Sequence, residues 1–175
     1  MVPTLVLGGA RSGKSAHAEG LLTADRVDYL ATARRDPSDA EWEARIAAHI
    51  ARRPPGWRTV EPTDLATALR FAGPVPVLVD DIATWLSAEL DDAGAWDGDL
   101  GAVQACRDRC ANLVAAVAAC PTELVLVSAE VGLGVVPATR AGRLFRDELG
   151  TLNADLATVC ERVLLLVAGL PVRLR

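Results

Sequence analysis

The chain alternates short runs of consecutive apolar residues with longer segments in which apolar residues recur every three or four positions. Runs of the first kind are typical of strands buried on both faces of a parallel sheet, and the longer segments are typical of amphipathic helices. The apolar runs predict strands at residues 4–7, 27–31, 57–60, 77–79, 124–127 and 163–167. This alternation favours an α/β fold with a mostly parallel sheet flanked by helices.

Local signals predict where several helices begin and end. Ser38 opens a capping-box pattern, Ser-Asp-Ala-Glu, and the proline pair that begins at Pro54 ends the helix that follows it. A second helix is predicted to start near Asp64, and a long one to run over residues 100–119.

Two segments are predicted to be loops. Residues 91–99 are acidic and contain glycine, which is typical of a surface loop, and residues 132–137 follow a predicted strand. In an open parallel sheet, the loops at the carboxyl ends of the strands form the ligand crevice. We expect residues 132–137 to lie there, together with the loop that follows the first strand.

The loop after the first strand has the sequence GGARSGKS at residues 8–15, which fits the phosphate-binding P-loop pattern. Glycines let backbone N–H groups approach phosphate oxygens, and the helix N-terminus adds a favourable dipole. Lys14 is expected to contact the β- and γ-phosphates as a catalytic residue, and Ser15 to ligate Mg²⁺. The predicted nucleotide-binding residues of this loop are Gly8, Gly9, Ala10, Arg11, Ser12, Gly13, Lys14 and Ser15.

Two aspartates follow the apolar run at residues 77–79. A carboxylate at the end of such a strand holds Mg²⁺ in P-loop enzymes, directly or through water. Asp80 is the better candidate for this metal and nucleotide role because it directly follows the strand. The alternative for either residue is the N-cap of a helix that begins near Ile82.

His49 is one of only two histidines in the chain. It shares one predicted helical stripe with Ile46 and Ile50, where a lone histidine is usually a buried core residue. Arg52 and Arg53 follow it closely, and guanidinium groups there could meet phosphates. The spacing alone leaves both interpretations of His49 open.

Composition limits the classes of partner. The 175 residues are enough for one domain, which we take as a single P-loop nucleotide-binding catalytic domain over residues 1–175. The net charge of −5 argues against a nucleic-acid partner. No apolar stretch approaches the ~18 residues that a membrane helix needs, so membrane insertion is not expected. No signal peptide precedes the first strand, and a cytoplasmic location is expected.

The motifs together resemble the bifunctional adenosylcobinamide kinase / adenosylcobinamide-phosphate guanylyltransferase family of cobalamin biosynthesis. The resemblance covers essentially the whole chain. The segments EVGLGVVP at residues 130–137 and GRLFRD at residues 142–147 are far more specific than the P-loop. The other segments are YLATA at residues 29–33 and RIAAH at residues 45–49.

The resemblance implies a RecA-like P-loop NTPase fold and two reactions. First, the aminopropanol hydroxyl of adenosylcobinamide attacks the γ-phosphate of ATP or GTP. Next, a histidine attacks the α-phosphate of GTP, and the guanylyl group passes to adenosylcobinamide phosphate. The matching histidine is His49. An imidazole is a competent nucleophile near neutral pH, which makes the assignment chemically sound.

The resemblance also implies further contacts and an assembly. Mg²⁺ is the expected cofactor, and the expected partners are GTP, ATP, adenosylcobinamide and its phosphate. Family members form trimers with sites near subunit boundaries, so a homotrimer is expected. The guanine-nucleotide contacts expected outside the P-loop are Thr32, Ala33, Arg34, Ile50, Ala51, Arg52, Arg53, Glu61 and Asp80.

The chain departs from the family pattern at several polar positions. Asp81 stands in place of cysteine, Ala129 in place of asparagine, Ala154 in place of glutamine, and Ala83 and Ala88 in place of polar residues. The P-loop and the histidine are intact. Two alternatives are a P-loop kinase of another small alcohol, which forms no covalent GMP, and a nucleotide-binding module without chemistry.

Overall fold

The structure is a computed structural model that describes residues 3–34, 38–51 and 53–175, without the side chains of Trp42, Glu43, Arg45, Ala48 and His49. Its strands are β1 (Thr4–Gly8), β2 (Asp28–Ala31), β3 (Arg58–Val60), β4 (Val77–Asp80), β5 (Leu124–Ala129), β6 (Arg162–Val167) and β7 (Leu170–Arg173). Its helices are α1 (Lys14–Leu21), α2 (Ala40–Ala51), α3 (Leu65–Arg70), α4 (Ile82–Ala93), α5 (Leu100–Ala118) and α6 (Arg140–Val159). A short 3₁₀ helix spans Ala95–Asp97.

The strands form a single sheet in the order β3-β2-β4-β5-β1-β6-β7. Every neighbouring pair is parallel except β6 and β7, which are antiparallel. All six predicted strands are confirmed, and β7 is an addition that the sequence did not predict. Because β1 lies between β5 and β6, the loop after β1 emerges near the middle of the carboxyl edge of the sheet.

Both faces of the sheet are covered by helices, as the continuous apolar runs predict. Leu5 and Leu7 of β1 belong to the larger core, which includes residues of α3, α4, α5 and α6. Val6 points to the other face, where it packs in a smaller core with Ala18 and Leu22 of the α1 segment. This smaller core also contains Tyr29 of β2, which places that ring on the same face of the sheet as α1.

The helix ends largely follow the local signals. Asp64 caps α3 by accepting a hydrogen bond from the Thr67 N–H, and α5 spans nearly the predicted range. Helix α2 begins at Ala40, one residue later than a Ser38 cap implies, and ends before Pro54. Although α5 and α6 have 19 and 20 residues, no helix in the described part of the chain is both long and apolar enough to cross a membrane.

The prediction of a loop over residues 91–99 is wrong in part. Helix α4 continues to Ala93 and ends at Gly94, whose left-handed backbone (φ 66°) forms the C-cap. The 3₁₀ helix follows, with Ala95 fully buried and the Trp96 indole N–H donating to the Asp91 carboxylate. The loop predicted at residues 132–137 is confirmed, and Val135 in it is 95% exposed.

Candidate functional site

The P-loop connects β1 to α1 with a backbone that turns sharply. Arg11 has φ 57° and Gly13 has φ 87°, both in the left-handed region. The Ser12 N–H donates to the Gly9 carbonyl at 3.3 Å and closes the turn. A Cβ on Gly8 would lie 3.2 Å from the Cβ of Leu166 and against the Ser12 hydroxyl, so the loop packs too closely there for a side chain.

The first turn of α1 has no side-chain cap, because its N-cap residue is Gly13. The N-caps of four other helices each accept a backbone N–H with a side-chain oxygen: Asp64 for α3, Asp81 for α4, Asp99 for α5 and Thr139 for α6. The N–H groups at the start of α1 therefore have no such partner within their own cap. A helix start of this kind suits a phosphate.

Asp80 ends β4 and lies beside the P-loop. Its Oδ1 accepts a hydrogen bond from the Ser15 hydroxyl at 3.3 Å, and its Oδ2 accepts one from the Tyr29 hydroxyl at 2.6 Å. Burial raises the pKa of Tyr29 far above its usual value, and the Asp80 carboxylate raises it further. Tyr29 therefore donates this hydrogen bond to Asp80 as a neutral phenol.

The helix cap that the sequence allowed for either aspartate belongs to Asp81. Its Oδ1 accepts the Thr84 N–H at 2.7 Å and the Thr84 hydroxyl at 3.0 Å. Burial raises the pKa of Asp81. Asp80 has no part in this cap, so its carboxylate is directed to the P-loop instead.

A cavity of about 550 Å³ opens over the P-loop. It brings together many of the residues singled out from the sequence: Arg11, Ser12, Gly13, Lys14, Ser15, Ala33, Arg53, Asp80 and Asp81. It is also lined by Ala16 and Thr84, which the sequence analysis did not single out, and by Tyr29 and Ala31 of the family segment at residues 29–33, which were not predicted as contacts. Ile46 of α2 lines it as well, so this helix borders the cavity. Gly8, Gly9 and Ala10, which were also predicted to contact the nucleotide, do not line this cavity.

A second cavity of about 320 Å³ adjoins the first and shares Ala31 and Ala33 with it. Three residues expected to contact the nucleotide line it: Thr32, Arg34 and Glu61. The Thr32 hydroxyl bonds to the Asp81 carbonyl at 2.6 Å and to the Thr84 hydroxyl at 2.7 Å. Thr32 thus ties the wall between the cavities to the start of α4.

The residues predicted around the end of α2 separate into three groups. The His49 side chain and the whole of Arg52 lie outside the described residues. Ile50 is 40% exposed and Ala51 is exposed, and neither lines a described cavity. Arg53 lines the first cavity, with its guanidinium carbon 3.2 Å from the centre of the Tyr29 ring. This cation–π contact holds Arg53 over the side chain that bonds Asp80.

The loop after β5 is attached to the P-loop. The Glu130 N–H donates to the Gly8 carbonyl at 3.0 Å. Two arginines of α6 donate to carbonyls of this loop: Arg146 to Gly132 at 2.9 Å, and Arg143 to Pro137 at 3.0 Å. Helix α6 therefore holds the shape of the loop beside the P-loop.

Comparisons with known proteins agree with this geometry. The family model described as cobinamide kinase / cobinamide phosphate guanyltransferase matches residues 4–174. The bifunctional adenosylcobalamin biosynthesis protein CobP of Pseudomonas aeruginosa is 43% identical, over 98% of this chain and 96% of its own length. The bifunctional adenosylcobalamin biosynthesis protein CobU of Escherichia coli K12 is 40% identical, over 98% of both chains.

Among solved structures, a prototypical ATPase from the type III secretion system of pathogenic bacteria aligns with a TM-score of 0.52 at 13% identity. The alignment covers 95% of this chain, which spans only 51% of that ATPase. This likeness shows the P-loop ATPase fold and nothing about activity. The family match over nearly the whole length carries the identification: the chain belongs to the cobinamide kinase / cobinamide phosphate guanyltransferase family.

Proposed function

We propose that this chain phosphorylates adenosylcobinamide with ATP or GTP and then transfers GMP from GTP to the product, giving adenosylcobinamide-GDP. The observation that carries the proposal is the contact of Ser15 with Asp80 at 3.3 Å, beside a P-loop helix without a side-chain cap, in a chain of this family. Both reactions displace part of a nucleoside triphosphate. One triphosphate site therefore serves both.

In this proposal the P-loop residues hold the triphosphate. The N–H groups at the start of α1 bind phosphate oxygens, and the Lys14 ammonium balances their charge. The Ser15 hydroxyl and the Asp80 carboxylate are hard oxygen donors within 3.3 Å of each other, a donor set that fits Mg²⁺. When bound, Mg²⁺ neutralises negative charge on the phosphate oxygens.

The second cavity is the proposed site of the guanine base. It adjoins the triphosphate cavity at Ala31 and Ala33, so one nucleotide can extend from one into the other. Glu61 lines it, and a carboxylate can accept hydrogen bonds from the ring N–H and the amino group on one edge of guanine. Adenine offers no such pair of donors on that edge, which gives a physical basis for selecting GTP.

The proposed kinase step transfers the γ-phosphoryl group. The hydroxyl oxygen of the aminopropanol arm forms a bond to the γ-phosphorus, and the bond from that phosphorus to the β–γ bridging oxygen breaks. ADP or GDP leaves, and the hydroxyl proton is lost to a base or to solvent. Lys14 stabilises the charge that moves to the bridging oxygen.

The proposed guanylyl transfer uses His49 as its nucleophile. An imidazole nitrogen forms a bond to the α-phosphorus of GTP, and pyrophosphate leaves. A phosphate oxygen of adenosylcobinamide phosphate then attacks the same phosphorus and releases the histidine. Residue 49 follows Ile46 by three positions in α2, and Ile46 lines the triphosphate cavity, which supports this assignment.

A labelling experiment tests the proposal. The protein is incubated with Mg²⁺ and GTP labelled at the α-phosphate, denatured, and assayed for label on the chain. We expect label that is lost in acid and retained in base, as a histidine phosphoramidate would be, and that is absent in His49→Ala. His17→Ala is the matched control, because His17 is the other histidine of the chain.

The other outcomes separate the alternatives. Phosphorylation of an alcohol without covalent label would leave a simple P-loop kinase. Binding of GTP without label and without turnover would leave a nucleotide-binding module. We also propose that the protein forms the homotrimer that the family resemblance implies. Light scattering on the protein as it elutes from a size-exclusion column gives the mass of the assembly and tests this.

A further inference from the structure

The turn between β6 and β7 is a two-residue hairpin loop. Val167 pairs with Leu170 at its base, and the two residues between them have left-handed backbones, with φ 52° at Ala168 and φ 79° at Gly169. Two consecutive positive φ angles are the mark of a type I′ turn, whose twist suits an antiparallel pair. Alanine seldom takes such a φ, so this conformation is set by the surrounding structure.

The turn contacts the P-loop directly. The Gly169 N–H donates to the Ser12 carbonyl, with 3.1 Å between nitrogen and oxygen. The two backbones are close enough that a Cβ built on Gly13 would lie 3.6 Å from the Cα of Gly169. The contact is made by backbone atoms, so no side chain in the motif reveals it.

This bond fixes one peptide unit of the phosphate-binding loop. The Ser12 carbonyl and the Gly13 N–H belong to the same planar trans peptide, so they point in opposite directions. When Gly169 holds the carbonyl on the hairpin side, the Gly13 N–H is directed away from the hairpin. Gly13 lines the triphosphate cavity, where an N–H is a phosphate ligand.

Strand β7 contributes little to the core. It lies at the edge of the sheet, pairs there with β6, and has all four of its residues exposed. Burial of apolar surface therefore does not explain the hairpin. The contact of the hairpin with the P-loop accounts for its conformation better than its own packing does.

We propose that Gly169 is a positioning residue of the nucleotide site: the hairpin turn holds the Ser12–Gly13 peptide so that the Gly13 N–H faces bound phosphate. The inference rests on the proposed binding of a nucleoside triphosphate at the P-loop. It adds a structural element that is remote from the P-loop in sequence and acts only through the backbone.

The test compares two valine substitutions at glycines with the same kind of backbone. Gly169 and Gly94 both have positive φ, at 79° and 66°, and a Cβ at either position meets nothing within 4 Å. Valine is unfavourable at positive φ in both turns, and Gly94 ends α4, about 20 Å along the helix from Asp81. Gly94→Val is therefore the control for general destabilisation.

Two measurements are made on each variant. Calorimetric titration with Mg²⁺-GTP gives the nucleotide affinity, and hydrogen exchange of the ligand-free protein gives the protection of residues 8–15. For Gly169→Val we expect a Kd about tenfold higher or more and faster exchange in the P-loop, the tenfold change corresponding to about 1.4 kcal/mol. Gly94→Val should leave exchange in the P-loop unchanged while its melting temperature also falls. Its GTP affinity is not part of the control, because Asp92, two residues before Gly94, lines the second cavity.

A rescue variant separates the backbone bond from loss of the fold. Gly169→Asn keeps the N–H and tolerates positive φ, so its affinity should stay within about twofold of the original protein. Should Gly169→Val fail to fold, Gly169→Ala is the milder substitution. Unchanged P-loop exchange and GTP affinity in a folded Gly169 variant would overturn the proposal. If the original protein binds neither GTP nor ATP, the proposed function fails, and the exchange measurement alone still decides the role of Gly169.

Discussion

The Tyr29 hydroxyl donates a hydrogen bond of 2.6 Å to the Oδ2 atom of Asp80. The two residues lie on neighbouring parallel strands, where Ala31 of β2 is paired with Asp80 of β4. Tyr29 is 2% exposed, and burial raises the pKa of its hydroxyl above the usual value. The bond therefore holds one carboxylate oxygen and leaves the other to Ser15, which is the arrangement that a metal carboxylate needs.

Tyr29→Phe should weaken binding of Mg²⁺-GTP and leave binding of metal-free GTP nearly unchanged. The substitution removes the hydrogen bond to Asp80 but keeps the ring that packs against Arg53. Loss of a group that orients a metal ligand typically costs about 10–100-fold in metal affinity. Fluorescence titration with a labelled GTP analogue, with Mg²⁺ and with EDTA, measures both affinities.

The comparison with and without metal is its own control. An equal loss of affinity under both conditions would mean that Tyr29 acts through packing and that its bond to Asp80 has no part in metal binding. Thermal unfolding accompanies the titration, because the lost hydrogen bond by itself lowers stability by about 1 kcal/mol.

The two adjacent aspartates should respond differently to substitution. Asp80→Asn removes the charge beside Ser15, so Mg²⁺-dependent nucleotide binding should fall about 10-fold or more while the protein stays folded. Asp81→Ala removes the cap of α4, which should lower stability by about 1–2 kcal/mol. Urea unfolding and Mg²⁺ titration of each variant check the two effects.

Asp81→Asn separates the cap of α4 from the charge. Asparagine caps helices as well as aspartate does, so this variant should keep the stability that Asp81→Ala loses. A loss of Mg²⁺ affinity in Asp81→Asn equal to that in Asp80→Asn would show that both carboxylates serve the metal.

Most of the sheet follows from local sequence, because buried parallel strands are continuous apolar runs and the P-loop is a local motif. Strand β7 could not be predicted in the same way. Its four residues, Leu170–Arg173, are exposed and contain a proline, and the turn before it is Ala-Gly in place of a typical Asn-Gly. No turn signal in the sequence therefore separates the apolar run of β6 from β7.

The parts of the site formed by residues close in sequence were predictable. The parts that depend on the order of the strands in the sheet were not. The sequence predicted a strand that contains Tyr29 and a strand that ends just before Asp80, but not that β2 lies beside β4. It also left the N-cap open between Asp80 and Asp81, because both follow the same apolar run. The start of α4 at Ile82 decides that question. For His49 the sequence prediction stands as a proposal.

Asn153→Ala should destabilise the carboxyl end of β5. The Asn153 amide accepts from the buried Ser128 hydroxyl at 2.7 Å and donates to the Ala129 carbonyl at 3.0 Å. Truncation leaves both groups without this partner, at a cost of about 1–3 kcal/mol measured by urea unfolding.

Asn153→Asp is the sharper variant, because it replaces the donor toward Ala129 with a carboxylate oxygen. We expect a larger loss than for alanine. The double variant Ser128→Ala with Asn153→Ala should lose less than the sum of the single losses, since the two side chains share a hydrogen bond. Strict additivity would contradict the coupling.

Cys160 should make stability fall at high pH. Its side chain lies 1% exposed at the end of α6, and burial raises its pKa to about 12. Above the unfolded pKa of about 8.5 the unfolded chain loses a proton that the folded chain keeps, so the free energy of unfolding falls as pH rises toward 12. Between about pH 8 and pH 10 the loss from this thiol should be about 1–2 kcal/mol.

The variant Cys160→Ala lacks this titration and serves as the control. Urea unfolding at both pH values measures the free energy of unfolding, which should fall by about 1–2 kcal/mol less in Cys160→Ala than in the original protein. Equal losses in the two proteins would mean that the thiol ionises as readily in the folded chain as in the unfolded one.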